Sequence, residues 1–180
     1  DVQPGNSYPL GATVLKDGVN FSLYSKDCDF LELLLFADEN SRKPDRIIPF
    51  DAKTNRTFFY WHMFVPGLQS GQIYAYRAYG EFAPEKGLRF DGTKILLDPY
   101  SRAVVGIEKY DRVAATRPGD NCAAALKNIV VDTSTYDWEH DHHLYLPYSE
   151  SVIYELHVGG FTKHPNSGVA RNKRGTYAGL

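Results

Sequence analysis

The chain has 180 residues, 43% hydrophobic and 14% aromatic, enough to bury a sizeable core and to exclude global disorder. Its formal net charge is −2, with Lys and Arg scattered among Asp and Glu, which gives no electrostatic footprint for nucleic acid or an anionic membrane. No stretch approaches the roughly 20 apolar residues that span a bilayer.

Asp17-Gly18 is a hairpin signal separating residues 12–15 from the alternating run Val19-Asn20-Phe21-Ser22-Leu23-Tyr24. Val19, Phe21 and Leu23 share one face there, and Asn20, Ser22 and Tyr24 the other. Residues 30–36 predict a third strand with Leu31, Leu33 and Leu35 on its core face. Its other face, Glu32, Leu34 and Phe36, is too apolar for a wet surface and is expected to meet a neighbouring domain. After a charged loop, Ile47 and Ile48 begin a short strand that Pro49 confines to an edge or an end. Longer strands follow over residues 57–65, with Trp61, Met63 and Val65 packed inward, and over 73–79, where Tyr74 and Tyr76 share a face. Residues 96–100 and 102–105 read as a last strand or an extended segment. Short strands at near-regular spacing with almost no helical periodicity predict a mainly β fold, an immunoglobulin-like antiparallel β-sandwich.

From Asp111 to Tyr148 the pattern is loop-rich, a length of irregular chain more natural between domains than inside one. Then Val152, Ile153, Tyr154, Leu156 and Val158 predict a strand buried on both faces, as in a parallel sheet, opening a new domain. A parallel strand needs a crossover and a neighbour, and the residues up to Leu180 are too few to supply both. The expected organisation is a sandwich over residues 1–110, a linker over 111–150, and the start of a larger, truncated domain over 151–180.

Cys28 and Cys122 are too few for a disulfide scaffold and match no zinc spacing. Asp1-Val2-Gln3-Pro4-Gly5 carries no basic-then-apolar secretion pattern, so reduced thiols and a cytoplasmic location are expected. Glu139-His140-Asp141-His142-His143 has the residue types of a metal site, but adjacent side chains rarely converge on one ion; it reads as solvated linker, with no metal and no cofactor expected. Gly159-Gly160 lacks the Lys-Ser/Thr that a phosphate loop requires. No Ser-His-Asp arrangement can be argued, and Glu155 reads as a structural acid. Sugar binding needs flat aromatic faces with hydrogen-bonding groups beside them. Tyr79 and Phe82, with Lys86 nearby, are the candidates.

Several segments together resemble the N-terminal region of isoamylase-type glycogen debranching enzymes. They are Pro9-Leu10-Gly11-Ala12-Thr13, Gly18-Val19-Asn20-Phe21-Ser22, Trp61-His62 and Val65-Pro66-Gly67-Leu68. Gly71 to Arg77, Gly87-Leu88-Arg89-Phe90 and Leu97-Asp98-Pro99-Tyr100 continue the likeness in order. Residues 152–162 look like the first barrel strand of the same enzymes, and Arg174 to Leu180 like the loop before the first barrel helix. The resemblance implies a sandwich of carbohydrate-binding module family 48, then a (β/α)8 barrel of glycoside hydrolase family 13 that hydrolyses α-1,6 branch linkages with retention. It places the catalytic carboxylates on later barrel strands, so no catalytic residue is expected in this segment, which alone should be inactive. The implied partners are glycogen, amylopectin or limit dextrin, and the chain's own downstream barrel, on which the sandwich would dock.

Two departures stand out. Gly159 occupies a position where the family usually has Arg. Related free-standing glycogen-binding domains use a Trp near Phe82 and a Lys near Ala75, so an inherited glucan site would be weakened here. The alternatives are a stand-alone α-glucan-binding module or a generic immunoglobulin-like interaction domain.

Overall fold

A computed structural model describes all 180 residues, which divide into two compact units, Asp1–Tyr136 and Asp137–Leu180. The first unit contains β1 (Gly11–Leu15), β2 (Gly18–Tyr24), β3 (Phe30–Phe36), β4 (Arg46–Pro49), β5 (Arg56–Thr57) and β6 (Tyr60–Pro66). It continues with β7 (Ile73–Tyr79), β8 (Phe82–Ala83), β9 (Leu88–Arg89), β10 (Val104–Val105), the short helix α1 (Arg112–Thr116) and β11 (Lys127–Ile129). One sheet has the order β1-β2-β6-β5 and the other β10-β11-β7-β3-β4, with every pairing antiparallel.

The period-two alternation builds the core as expected. Val19, Phe21 and Leu23 of β2 and Trp61, Met63 and Val65 of β6 meet Leu31, Leu33 and Leu35 of β3 and Tyr74, Tyr76 and Ala78 of β7. Phe21 sets its edge against Tyr74 at 5.1 Å between ring centroids. The result is a β-sandwich. The first hairpin differs in one detail: Leu15 pairs with Gly18, so the turn residues are Lys16 and Asp17. Gly18 is needed for a different reason, because a Cβ there would lie 2.4 Å from the Val65 carbonyl oxygen.

The outer faces are covered by the chain itself. On the first sheet, Asn20, Ser22 and His62 are buried beneath residues 3–7. The Asn6 N–H donates to Asn20 Oδ1 (2.7 Å), Ser22 Oγ donates to the Ser7 carbonyl (2.7 Å), and His62 Nδ1 meets the Pro4 carbonyl (2.8 Å). On the second, Leu34, Phe36 and Ala75 pack against Ile95, Cys122 and Ala125. The apolar outer face of β3 is therefore closed by the segment following the sheet, and not by a separate domain. The same segment corrects the expected linker. Within residues 111–150, β11 inserts between β10 and β7, and Val130 is buried in the core. Lys127-Asn128-Ile129 has no apolar alternation; its place is held by backbone pairing and by Asn128 Nδ2 donating to the Tyr74 carbonyl (3.0 Å).

Asp98 is buried beside this junction, accepting from the Tyr74 hydroxyl and the Tyr100 N–H, each at 2.8 Å. Burial pushes its carboxyl up, against the lowering pull of the Tyr100 and Tyr74 bonds. Burial and the adjacent Asp98 also push both Tyr74 and Tyr76 up.

In the second unit, residues 151–157 pair with nothing, where the sequence predicts a strand. Val152, Ile153 and Tyr154 are 97%, 83% and 73% exposed, and a four-residue helix, α2 (Val158–Phe161), follows. A strand exists only as part of a ladder, and no other segment of these residues lies alongside to complete one. The unit's local order comes from Thr162 Oγ1 accepting from the Gly175 N–H (2.9 Å) and Arg174 Nε donating to the Val169 carbonyl (2.7 Å).

Leu34→Ala should destabilise the first unit by about 2–5 kcal/mol in denaturant unfolding, as much as Leu33→Ala, because both faces of β3 are core. A loss well under 1 kcal/mol would show the outer face open to water. Asp98 has a separate signature. A folded carboxyl pKa above its ordinary 3.8 means that the native state binds more protons than the unfolded one in the window above 3.8. Stability relative to Asp98→Asn should therefore rise as pH falls through that window. A flat difference would refute it.

Candidate functional site

After β7 the chain leaves the sheet at Gly80, where a Cβ would meet the Phe90 ring at 2.7 Å, and forms a small hairpin. β8 and β9 pair Phe82 with Arg89 and Ala83 with Leu88, around a 3-10 turn at Pro84–Lys86 that Gly87 closes with a φ of 81°. Between this hairpin and the segment after it lies an open groove of about 690 Å³. Phe82, Leu88, Phe90 and Leu96 give it apolar surface, and Arg89 and Asp91 bring charge to its lining. Asp91 Oδ1 accepts from both the N–H and the hydroxyl of Thr93, and these bonds hold its carboxyl below the usual carboxylate range.

The three expected sugar contacts part company here. Phe82 lines the groove and is 67% exposed. Tyr79 is turned away from it: its hydroxyl donates to Glu32 Oε2 (3.0 Å), and its ring lies so close to Gly92 that a Cβ there would fall 2.1 Å from Tyr79 Cε1. Burial and the Glu32 carboxylate push this phenol up. Arg77 adds ion-pair contacts of 3.7 Å to both Glu32 and Asp120, so the Tyr79 hydroxyl belongs to a cluster of charged side chains outside the groove lining. Lys86 sits on the 3-10 turn and donates to Glu81 Oε1 at 2.8 Å. Both partners are largely exposed, which makes the pair weak.

Sequence reasoning missed Lys94. It is buried, and its ammonium donates to the carbonyls of Ala114 (2.8 Å), Arg117 and Gly119, gathering the end of α1 and the loop after it. Ala115 and Thr116 of α1 line the groove, so this latch fixes one wall. A lysine in Gly92-Thr93-Lys94-Ile95 carries no local signal of that role. Glu155 is exposed, and no group of three His, Cys, Asp or Glu side chains converges as a metal site would require; His142 Nδ1 instead meets the His140 carbonyl at 3.0 Å.

A flat exposed ring beside hydrogen-bonding groups suits an amphipathic ring such as a pyranose, apolar on its C–H faces and polar at its edges. A sandwich of two antiparallel sheets offering such a groove has the build of a carbohydrate-binding module. Comparison with known proteins makes the class specific. Residues 9–101 match carbohydrate-binding module 48, the isoamylase N-terminal domain, and the chain belongs to that family.

Among curated proteins, it is 38% identical to isoamylase 1, chloroplastic, of Arabidopsis thaliana over 99% of this chain and 23% of that protein. It is 40% identical to a glycogen debranching enzyme of Yersinia enterocolitica over 98% of this chain and 26% of that protein. The chain thus spans about a quarter of the length of the curated relatives it matches. Among solved structures, apo pullulanase from Paenibacillus barengoltzii superposes with a TM-score of 0.58 at 24% identity, covering 97% of this chain and 22% of that one.

Lys94→Met should lower stability by about 1.5–3 kcal/mol, the usual loss for a charged hydrogen-bonding group, since its carbonyl partners lose their donor. Amide exchange should accelerate in residues 112–119 more than in β2 or β6. Uniform acceleration throughout the unit would contradict a local latch.

Proposed function

We propose that this chain is the non-catalytic N-terminal part of a glycoside hydrolase that cleaves α-1,6 branch linkages in glycogen or amylopectin, and that its sandwich holds α-glucan at the Phe82 groove. The observation that carries the reading is the alignment, at 38–40% identity and over 98–99% of this chain, with enzymes named as isoamylase and glycogen debranching enzyme. Such proteins act on a branched polymer that must be retained while one linkage is cut. A groove with a single exposed Phe face suits retention.

In this reading residues 1–136 form an immunoglobulin-like module, and the apolar run at 152–158 becomes the first strand of a (β/α)8 barrel once further strands lie beside it. The 97% exposure of Val152 supports that assignment, because a β-branched apolar residue gains nothing from water. Both cysteines are free and buried, which suits a reducing compartment.

Groove binding should be weak, with a dissociation constant on the order of 1 mM for maltoheptaose, and stronger on glycogen, where many chains engage at once. In gels cast with glycogen the chain should be retarded, and Phe82→Ala should lose most of that retardation. Lys86→Ala and Tyr79→Phe should change it little. Equal mobility of the parent chain with and without glycogen, or release of maltooligosaccharides from glycogen by the 180-residue chain alone, would refute the reading.

A further inference from the structure

The hairpin between β5 and β6 turns on Phe58 and Phe59, with Thr57 paired to Tyr60 across it. Turns of this length need positive φ and favour Asn-Gly or Gly. Phe58 instead adopts a φ of 53°, where bulky side chains are rarely found, and its ring is 85% exposed. The ring gains no core burial in return for that strain.

Around it stand Tyr24, Phe59 and Tyr60, all partly exposed, with Tyr24 edge-on to Phe59 at 6.2 Å and to Tyr60 at 5.4 Å. The tip is fixed from below. Arg56 Nε donates to the Phe58 carbonyl (2.8 Å), and the Arg56 guanidinium lies 4.7 Å over the ring of buried Trp61. The loop that supports the tip also reaches the groove. The Ser25 N–H donates to the Phe59 carbonyl (2.9 Å), Arg56 Nη2 donates to the Lys26 carbonyl (3.4 Å), and Asp27 lines the groove.

We infer that the Phe58 tip is an extension subsite of the groove, on which a longer α-glucan chain stacks its pyranose faces after crossing the Ser25–Asp27 loop. This rests on the reading of the groove as a glucan site. The cluster consists of flat rings, two of them phenols, with no aliphatic side chain among residues 56–60. That composition matches the alternating C–H faces and hydroxyl edges of a glucan. The anchoring by Arg56 and Ser25 holds the rings in place before a ligand arrives, so little ordering is required on binding.

NMR titration of the 180-residue chain with maltotriose and with maltoheptaose separates the two sites. Phe58→Asn keeps a residue that tolerates positive φ and removes the ring. It should leave maltotriose affinity at Phe82 unchanged and weaken maltoheptaose about tenfold, the size of one lost stacking contact. Phe58→Trp should restore it. If maltoheptaose binds Phe58→Asn as tightly as the parent while Phe82→Ala weakens both sugars, the extension is wrong and the groove reading stands. If the parent binds neither sugar, both are wrong. A shift from dimer to monomer in Phe58→Asn, with glucan affinity intact, would make the tip a protein contact and overturn the proposal.

Discussion

β7 sends Tyr74 and Tyr76 into the sandwich and Ile73 and Ala75 out against Leu34, Phe36, Ile95, Cys122 and Ala125, so neither face of the β3–β7 pair is left to water. Most of what lies beyond the sheets follows from that double burial. A sheet with one wet face would need nothing over it. Here the outer face is apolar, and the chain after β9 has to return across it. That return brings α1 and Lys94 into position, and with them a wall of the groove. The groove is thus a by-product of closing the second core. Its geometry is as rigid as the packing beneath it.

Buried polar side chains do the tailoring that apolar packing cannot. Asn20, Ser22 and His62 fasten the N-terminal strap, Asn128 and Asp98 hold the return to β11, and Lys94 gathers three carbonyls. Each satisfies backbone groups of an irregular segment that no ladder could satisfy, and a segment without such partners would stay in solvent. Hydrophobic alternation therefore sets the long central strands, β2, β3, β6 and β7. These polar contacts set where the connections lie.

The same division explains what the sequence disclosed. β2 and β6 were legible because Val19, Phe21, Leu23 and Trp61, Met63, Val65 recur at period two, and a half-buried strand leaves no other pattern. β11 was not, since its place depends on Asn128 meeting Tyr74, a residue far away in sequence. Residues 152–158 predict a strand from an apolar run alone, yet a run states a need for burial without naming the partner. At the groove, Phe82 was visible as an aromatic just past a strand. Tyr79 carries the same signal, but its hydroxyl is bonded to Glu32 and its ring lies against Gly92, contacts that no local pattern announces. Phe58 left no turn signal, because the residues that announce such a turn are the ones it replaces.

The two aromatic features lie where strand ends converge. Tyr24 pairs with Tyr60, and Phe30 with Tyr79, so the end of β2, the start of β6, the start of β3 and the end of β7 mark one end of the sandwich. Loops at such an end can change without disturbing the core, while the strands below keep their bases still. Phe58 and Phe82 each stand on a hairpin of few residues, which restricts how far a ring can drift. A polymer that must be held but also released gains from several such shallow, rigid contacts more than from one deep pocket, because each can let go separately. Short hairpins carrying single exposed rings supply contacts of that kind, and a two-sheet core closed on both outer faces keeps them in register.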